Sequence, residues 1–144
     1  MADLPARGLT IDELSLGMTA SYERQVTVAD IEAFAAVSGD HNPVHLDDAY
    51  AKTTVFKGRI AHGILGASFI STVLASKLPG PGTVYLGQTL SFKRPVRPGE
   101  TVEARVTVTQ LIPDKGHVIL KTECRVGDRV VIDGEATVMA PQRG

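Results

Sequence analysis

Cysteine is nearly absent from this chain: 144 residues contain one, Cys124. A lone thiol excludes a disulfide framework and any CxxC redox or zinc pair. Its place in an alternating apolar stretch suits a buried structural residue better than a nucleophile. An excess of charge is lacking too. Fifteen Lys and Arg against 16 Asp and Glu leave a formal net charge of −1, with both signs scattered, so there is no electrostatic footprint for nucleic acid or an anionic membrane. Neither partner is expected. No apolar run reaches the roughly 20 residues that span a bilayer. Residues 60–76 hold no Lys, Arg, Asp or Glu, yet carry His62, Gly63, Gly66, Ser68, Ser71, Thr72 and Ser76, and read as a buried helix. Met1-Ala2-Asp3-Leu4-Pro5 offers no basic segment ahead of an apolar one, so no secretory signal is expected and the protein is assigned to the cytoplasm.

Several signatures are missing as well. His41, His45, His62 and His117 show no HExxH or comparable spacing, so no metal site is expected. GxSxG, Walker A and GxGxxG motifs do not occur, which argues against a nucleophile-elbow hydrolase, a phosphate-loop NTPase and a dinucleotide fold. No cofactor is expected. With no repeats, linkers or low-complexity tracts, residues 1–144 read as a single domain, large enough to bury about two-thirds of its unfolded surface without staples.

What is present divides by period. Thr27-Val28-Ala29-Asp30 has capping-box spacing, Ile31, Phe34, Ala35 and Ser38 share one helical face, and Gly39 ends the pattern, predicting a helix over 28–38. A short helix is expected over 47–51, with acids in its first turn, then a loop through Thr53, Thr54 and Gly58. The apolar helix is expected over 62–77, stopped by Leu78-Pro79-Gly80-Pro81-Gly82. Beyond it the period becomes two. Val84, Leu86 and residues 89–92, then Val102 to Val108, Val118 to Cys124 and Val130 to Val138 read as four strands, with residues 18–24 a fifth. The links 95–100, Pro113-Asp114-Lys115-Gly116 and Gly127-Asp128 are short, which predicts antiparallel neighbours. The expected class is α+β, a largely antiparallel sheet curled against one buried central helix.

Two places carry chemistry. Asp40 and His45 lie five positions apart, which on one helix would point them about 140° away from each other. Gly39 and Asn42-Pro43 forbid a continuous helix there, so the backbone must turn and can bring both side chains to one point. An acid beside an imidazole can serve as a general acid/base unit near neutral pH. The same Gly, Asp, Asn and Pro also make ordinary turns, and spacing does not separate the two readings. The second place is His62-Gly63 at the start of the apolar helix, where unpaired N–H groups and a close backbone approach can form an oxyanion hole. Glycines there also allow tight packing of helix on sheet. Ser71, two turns further, can face the site or bond its own helix backbone. Lys57, Arg59, Lys93, Arg94 and Arg97 can meet phosphates or stay solvated.

Three blocks carry a resemblance: Phe34-Ala35-Ala36-Val37-Ser38-Gly39-Asp40-His41-Asn42-Pro43-Val44-His45-Leu46-Asp47, then Ile60-Ala61-His62-Gly63-Ile64-Leu65, then Tyr85-Leu86-Gly87-Gln88-Thr89-Leu90-Ser91-Phe92-Lys93-Arg94-Pro95-Val96. In order and spacing, over residues 27–140, they resemble the MaoC-like dehydratases, most closely the short (R)-specific enoyl-CoA hydratases. The resemblance implies a hot-dog fold, a homodimer and an acyl-CoA substrate. It implies that Asp40 and His45 hold one water, that the Gly63 N–H binds the thioester oxygen, and that Ser71 lines the site. His62 and Asn42 join the substrate-side set, and Lys93, Arg94 and Arg97 become candidates for CoA phosphates. A hot-dog thioesterase and a non-catalytic acyl-CoA-binding module are the alternatives.

Overall fold

The computed structural model describes residues 7–143. The first five residues, where a targeting signal was sought, lie outside the described residues. After a 3-10 turn at Ile11–Glu13 the chain runs through β1 (Thr19–Gln25), α1 (Val28–Ser38), α2 (Pro43–Leu46), α3 (Asp48–Lys52), α4 (Gly63–Ser76), β2 (Val84–Phe92), β3 (Thr101–Ile112), β4 (His117–Val126) and β5 (Arg129–Met139).

α1 starts and stops where its sequence says it should. The Thr27 side chain accepts from Asp30 N–H at 3.1 Å, and the Asp30 carboxylate accepts from Thr27 N–H at 3.1 Å. Gly39 then closes the helix in the left-handed region, φ 82°, donating its N–H to the Ala35 carbonyl. The next stretch is more ordered than the sequence suggested. Pro43 pre-sets the first turn of a one-turn helix, α2, capped by Asn42, whose Oδ1 accepts from Val44 N–H at 3.2 Å. Asp47 caps α3, so the helix expected over 47–51 sits one residue later.

α4 is the centre of the molecule. Leu65, Gly66, Phe69, Ile70, Val73 and Leu74 are all buried along it, and each large apolar side chain so placed contributes about 1.5–3 kcal/mol. Against them stand alternate residues of β3, β4 and β5: Val102, Ala104, Val106 and Val108, then Val118, Leu120, Thr122 and Cys124, then Ala136 and Val138. Cys124 points into this layer, its thiol donating to the Gly66 carbonyl at 3.6 Å, and burial pushes its pKa up to about 12. A thiol held that far from ionisation is structural.

All sheet pairings are antiparallel, in the order β1-β3-β4-β5-β2. One expectation fails here. β2 and β3 are joined by a short link, yet they are not neighbours, because β2 pairs with β5 at the far edge. Sheet curl is the physical reason. The sheet wraps α4, so the end of β2 and the start of β3 fall within the reach of residues 93–100, a length that extends at most about 26–29 Å. That link closes the open end of the wrap. Lys93 N–H donates to the Val131 carbonyl at 2.8 Å, Ala61 N–H to the Val96 carbonyl at 2.7 Å, and Gly99 N–H to the Val26 carbonyl at 2.6 Å. A five-stranded antiparallel sheet wrapped around one helix is the hot-dog fold. Bonds from the link to Val26 and Ala61 also anchor the two ends of the segment carrying α1, α2 and α3 beside the N-terminus of α4.

Candidate active site

The turn between α1 and α2 does what its punctuation requires. A carboxylate oxygen of Asp40, a ring nitrogen of His45 and a ring nitrogen of His62 all lie within 4.8 Å of one another. Two hydrogen bonds of about 2.8 Å meeting at a tetrahedral oxygen span about 4.6 Å, so the gap suits one water bridging acid and imidazole. Asp40 is exposed and His45 is buried. One Asp40 oxygen, Oδ1, accepts from Asn42 N–H at 3.1 Å, which leaves Oδ2 for other work.

His45 is held through its backbone and its ring. It sits in the last turn of α2, and its Nδ1 is 2.8 Å from the Ile60 carbonyl. A carbonyl only accepts, so Nδ1 carries the hydrogen and the neutral ring presents a bare Nε2. Burial moves the His45 pKa below its ordinary 6.5; the bond to Ile60 opposes that, the neighbouring His62 adds to it and Asp40 opposes it. The net result is a ring biased toward its neutral, proton-accepting form.

His62 is the N-cap of α4 and is buried, its ring stacked on His45 with centroids 3.9 Å apart and planes tilted 30°. Its Nε2 lies 3.0 Å from the Asp40 backbone carbonyl, to which it donates. Three potential ligand groups therefore meet, but stacked imidazoles direct their in-plane lone pairs side by side. A single ion at bonding distance from both would lie out of the plane of at least one ring.

Gly63 opens α4 and is exposed. As the first helical residue it has no intrahelical acceptor for its N–H, which sits at the positive end of a 14-residue helix. A Cβ here would lie 2.6 Å from Phe92 Cε1, so any larger residue must displace that ring. Beside it opens a cavity of about 400 Å³ whose walls include His45, Gly63, Phe92, Val102 and Ile132. Lys93 and Arg94 line the same cavity.

The other expected site residues are placed differently from one another. Ser71 follows Gly63 by eight residues, about 12 Å along the helix and about 80° around it. It lines a separate groove between α4 and β2, with Ile64, Ala67, Tyr85 and Leu90. Ile64 borders both openings. Asn42 stays beside Asp40, its N–H bonded to Asp40 Oδ1, while its own Oδ1 caps α2. Arg97 reaches away from Lys93 and Arg94: its guanidinium donates to the carbonyls of Phe56 and Gly58. Arg59 is similarly occupied, paired with Asp48 at 3.2 Å and donating to the Leu46 carbonyl. Two participants were given no role from sequence, the Ile60 carbonyl and the Phe92 ring. A backbone acceptor has no residue type, and Phe92 reaches Gly63 only through the tertiary fold.

Known proteins resemble this chain over most of its length. The chain is 53% identical over 133 residues to an (R)-specific enoyl-CoA hydratase of Rhodospirillum rubrum, covering 92% of each. It is 44% identical to the (R)-specific enoyl-CoA hydratase of Aeromonas caviae, covering 92% of this chain and all of that one. In structure it superposes on the unliganded R-hydratase PhaJ1 of Pseudomonas aeruginosa with a TM-score of 0.89 at 47% identity, over 94% of this chain and 88% of that one. The MaoC like domain itself matches residues 14–130, and the chain belongs to that family.

Proposed function

We propose that this protein is an (R)-specific enoyl-CoA hydratase, a hydro-lyase that adds water to a trans-2-enoyl-CoA to give an (R)-3-hydroxyacyl-CoA. The observation that carries the reading is the meeting of Asp40, His45 and the free N–H end of α4 beside one cavity, in a chain 53% identical to a protein of that name.

In a 2-enoyl thioester, C3 is electrophilic because negative charge can move onto the carbonyl oxygen. Water held between Asp40 and the bare Nε2 of His45 donates a hydrogen to each and turns a lone pair toward C3. As the C3–O bond forms, the pair takes one proton and charge develops on the thioester oxygen, where the Gly63 N–H stabilises it. The proton then returns to C2, completing the addition. An acid and an imidazole this close titrate as a unit, so the first transfer belongs to the pair.

The substrate is divided between the two openings that flank Ile64. The cavity beside Gly63 takes the pantetheine arm, with Lys93 and Arg94 toward the CoA phosphates; the groove containing Ser71 takes the acyl chain. That groove is open on its outer side, where Val84, Tyr85, Leu86 and Ile64 expose large apolar surfaces next to the unpaired edge of β2. A second copy docked β2 to β2 would continue the sheet and roof the groove, making a C2 homodimer. Among the described residues no helix is long and apolar enough to cross a membrane.

Purified protein incubated with trans-2-enoyl-CoA tests the activity. Loss of enoyl absorbance without release of free CoA supports hydration, whereas CoA release would indicate a thioesterase.

A further inference from the structure

We propose that His62 is a positioning residue: its ring, stacked on His45 and bonded through Nε2–H to the Asp40 carbonyl, fixes the two water-handling groups relative to each other. This rests on the hydratase reading of the site and assigns a role to a side chain that the reaction itself does not use.

The loop that carries Asp40 has little else to hold it. Asp40 N–H donates to Ser38 Oγ at 3.1 Å and Asn42 N–H to Asp40 Oδ1, both bonds within the loop or to the end of α1. The bond from His62 is of another kind, since it ties the loop to the N-terminus of α4, where Gly63 follows directly. One side chain thereby joins three working parts: the carbonyl of the residue bearing the acid, the face of the imidazole, and the start of the helix whose N–H faces the thioester oxygen. Phe34 also packs against it, centroids 4.8 Å apart and planes tilted 55°, so the ring has little room to turn.

A histidine that merely filled space would be a poor choice. His62 is 3% exposed, and its Nδ1 is buried without a hydrogen-bond partner. An apolar ring of the same shape would avoid that cost. The bond from Nε2 to Asp40 explains why a histidine stands there, and it fixes the tautomer: with Nε2–H donating, Nδ1 carries the lone pair. The groups facing His45 are then complete. His62 comes from the start of α4, Asp40 from the loop after α1 and the Ile60 carbonyl from the segment before α4, while Lys93 and Arg94 stand on the wall of the shared cavity.

Two variants separate positioning from packing. His62→Gln keeps an N–H donor for the Asp40 carbonyl and loses the ring; His62→Phe keeps the ring and loses the donor. Each should lower kcat at least tenfold per folded molecule with KM changed less than threefold. In each the acid limb of the kcat/KM profile should move to higher pH, because the neighbour that opposes protonation of His45 is gone. A kcat within threefold of the unmodified enzyme in both variants, or an acid limb that stays in place, overturns the proposal. Should neither variant fold, the imidazole 15N spectrum of the unmodified protein decides. His62 as the Nε2–H tautomer supports the clamp, and the Nδ1–H tautomer overturns it. Failure of the hydratase reading would show separately, as no enoyl-CoA hydration by the unmodified protein, and would leave that spectrum unaffected.

Discussion

His45 donates its Nδ1–H to the Ile60 carbonyl at 2.8 Å, and this bond decides that Nε2 is the nitrogen available to a water. The acid partner lies within 4.8 Å on the far side of a turn that Gly39 and Pro43 create. Asp40→Asn, Asp40→Ala and His45→Ala should each lower kcat by roughly 10²-fold or more, the usual scale for a positioned acid or base. The double variant should be little worse than the worse single one, since both groups serve one water. Fully multiplicative losses in a double-mutant cycle would place them in separate steps.

The pH dependence follows from the His45 environment. Its pKa is held below the ordinary 6.5, by burial first and by His62. A depressed value means that the neutral base persists into mildly acidic solution, so the acid limb of kcat/KM should have its midpoint below 6.5. The same shift contributes stability that is fully present above about pH 6.5 and is lost as pH falls through the folded value. A midpoint above 6.5, measured in buffers of constant ionic strength, would contradict the assignment of His45 as the limiting group.

Gly63→Ala keeps the N–H but adds a Cβ that would lie 2.6 Å from Phe92 Cε1. Phe92 is 52% exposed, so its ring can swing aside, and the fold should survive with a melting temperature within a few degrees. The displaced ring then intrudes on the cavity beside the helix, so kcat/KM should fall at least tenfold. Adding Phe92→Leu should recover part of the loss. No recovery would mean that the clash is not the cause.

Much of this was readable from sequence because it depends on local rules. Gly39 as a left-handed cap, Thr27 and Asp30 as a capping box and Asn42-Pro43 as a break in the helix act within a few residues, and each is found where its chemistry puts it, although the one-turn helix that Pro43 opens was not expected. The placement of β2 beside β5 was not readable. It depends on how far the sheet curls around α4, a property of the whole packed layer. Ser71 shows the same limit: its distance from Gly63 is arithmetic, but which flank of α4 it faces depends on what lies beside the helix.

Basic residues near the cavity should separate by what already binds them. Arg94→Glu should raise KM in a salt-dependent way with kcat nearly unchanged, because Arg94 lies on the exposed rim facing the proposed phosphates. Arg97→Glu should instead lower thermal stability, because its guanidinium holds the carbonyls of Phe56 and Gly58. Steady-state kinetics at two salt concentrations and a thermal melt distinguish them. Equal effects on KM would return Arg97 to the substrate side.

The exposed edge of β2 gives a test of assembly. Leu86 is 46% exposed on a nine-residue edge strand, and Leu86→Asp should convert a dimer to a monomer in light scattering at micromolar concentration. Activity should fall with it, because the groove at Ser71 would lose its roof. A monomer of full activity would refute the dimer and the roofed groove together.

One measurement bears most directly on the function: unmodified protein, trans-2-enoyl-CoA of several chain lengths, and chiral analysis of the product. Hydration to (R)-3-hydroxyacyl-CoA, abolished by Asp40→Asn in a protein that remains folded, is the expected result. An unchanged enoyl-CoA, an S product, or full activity in Asp40→Asn would contradict it.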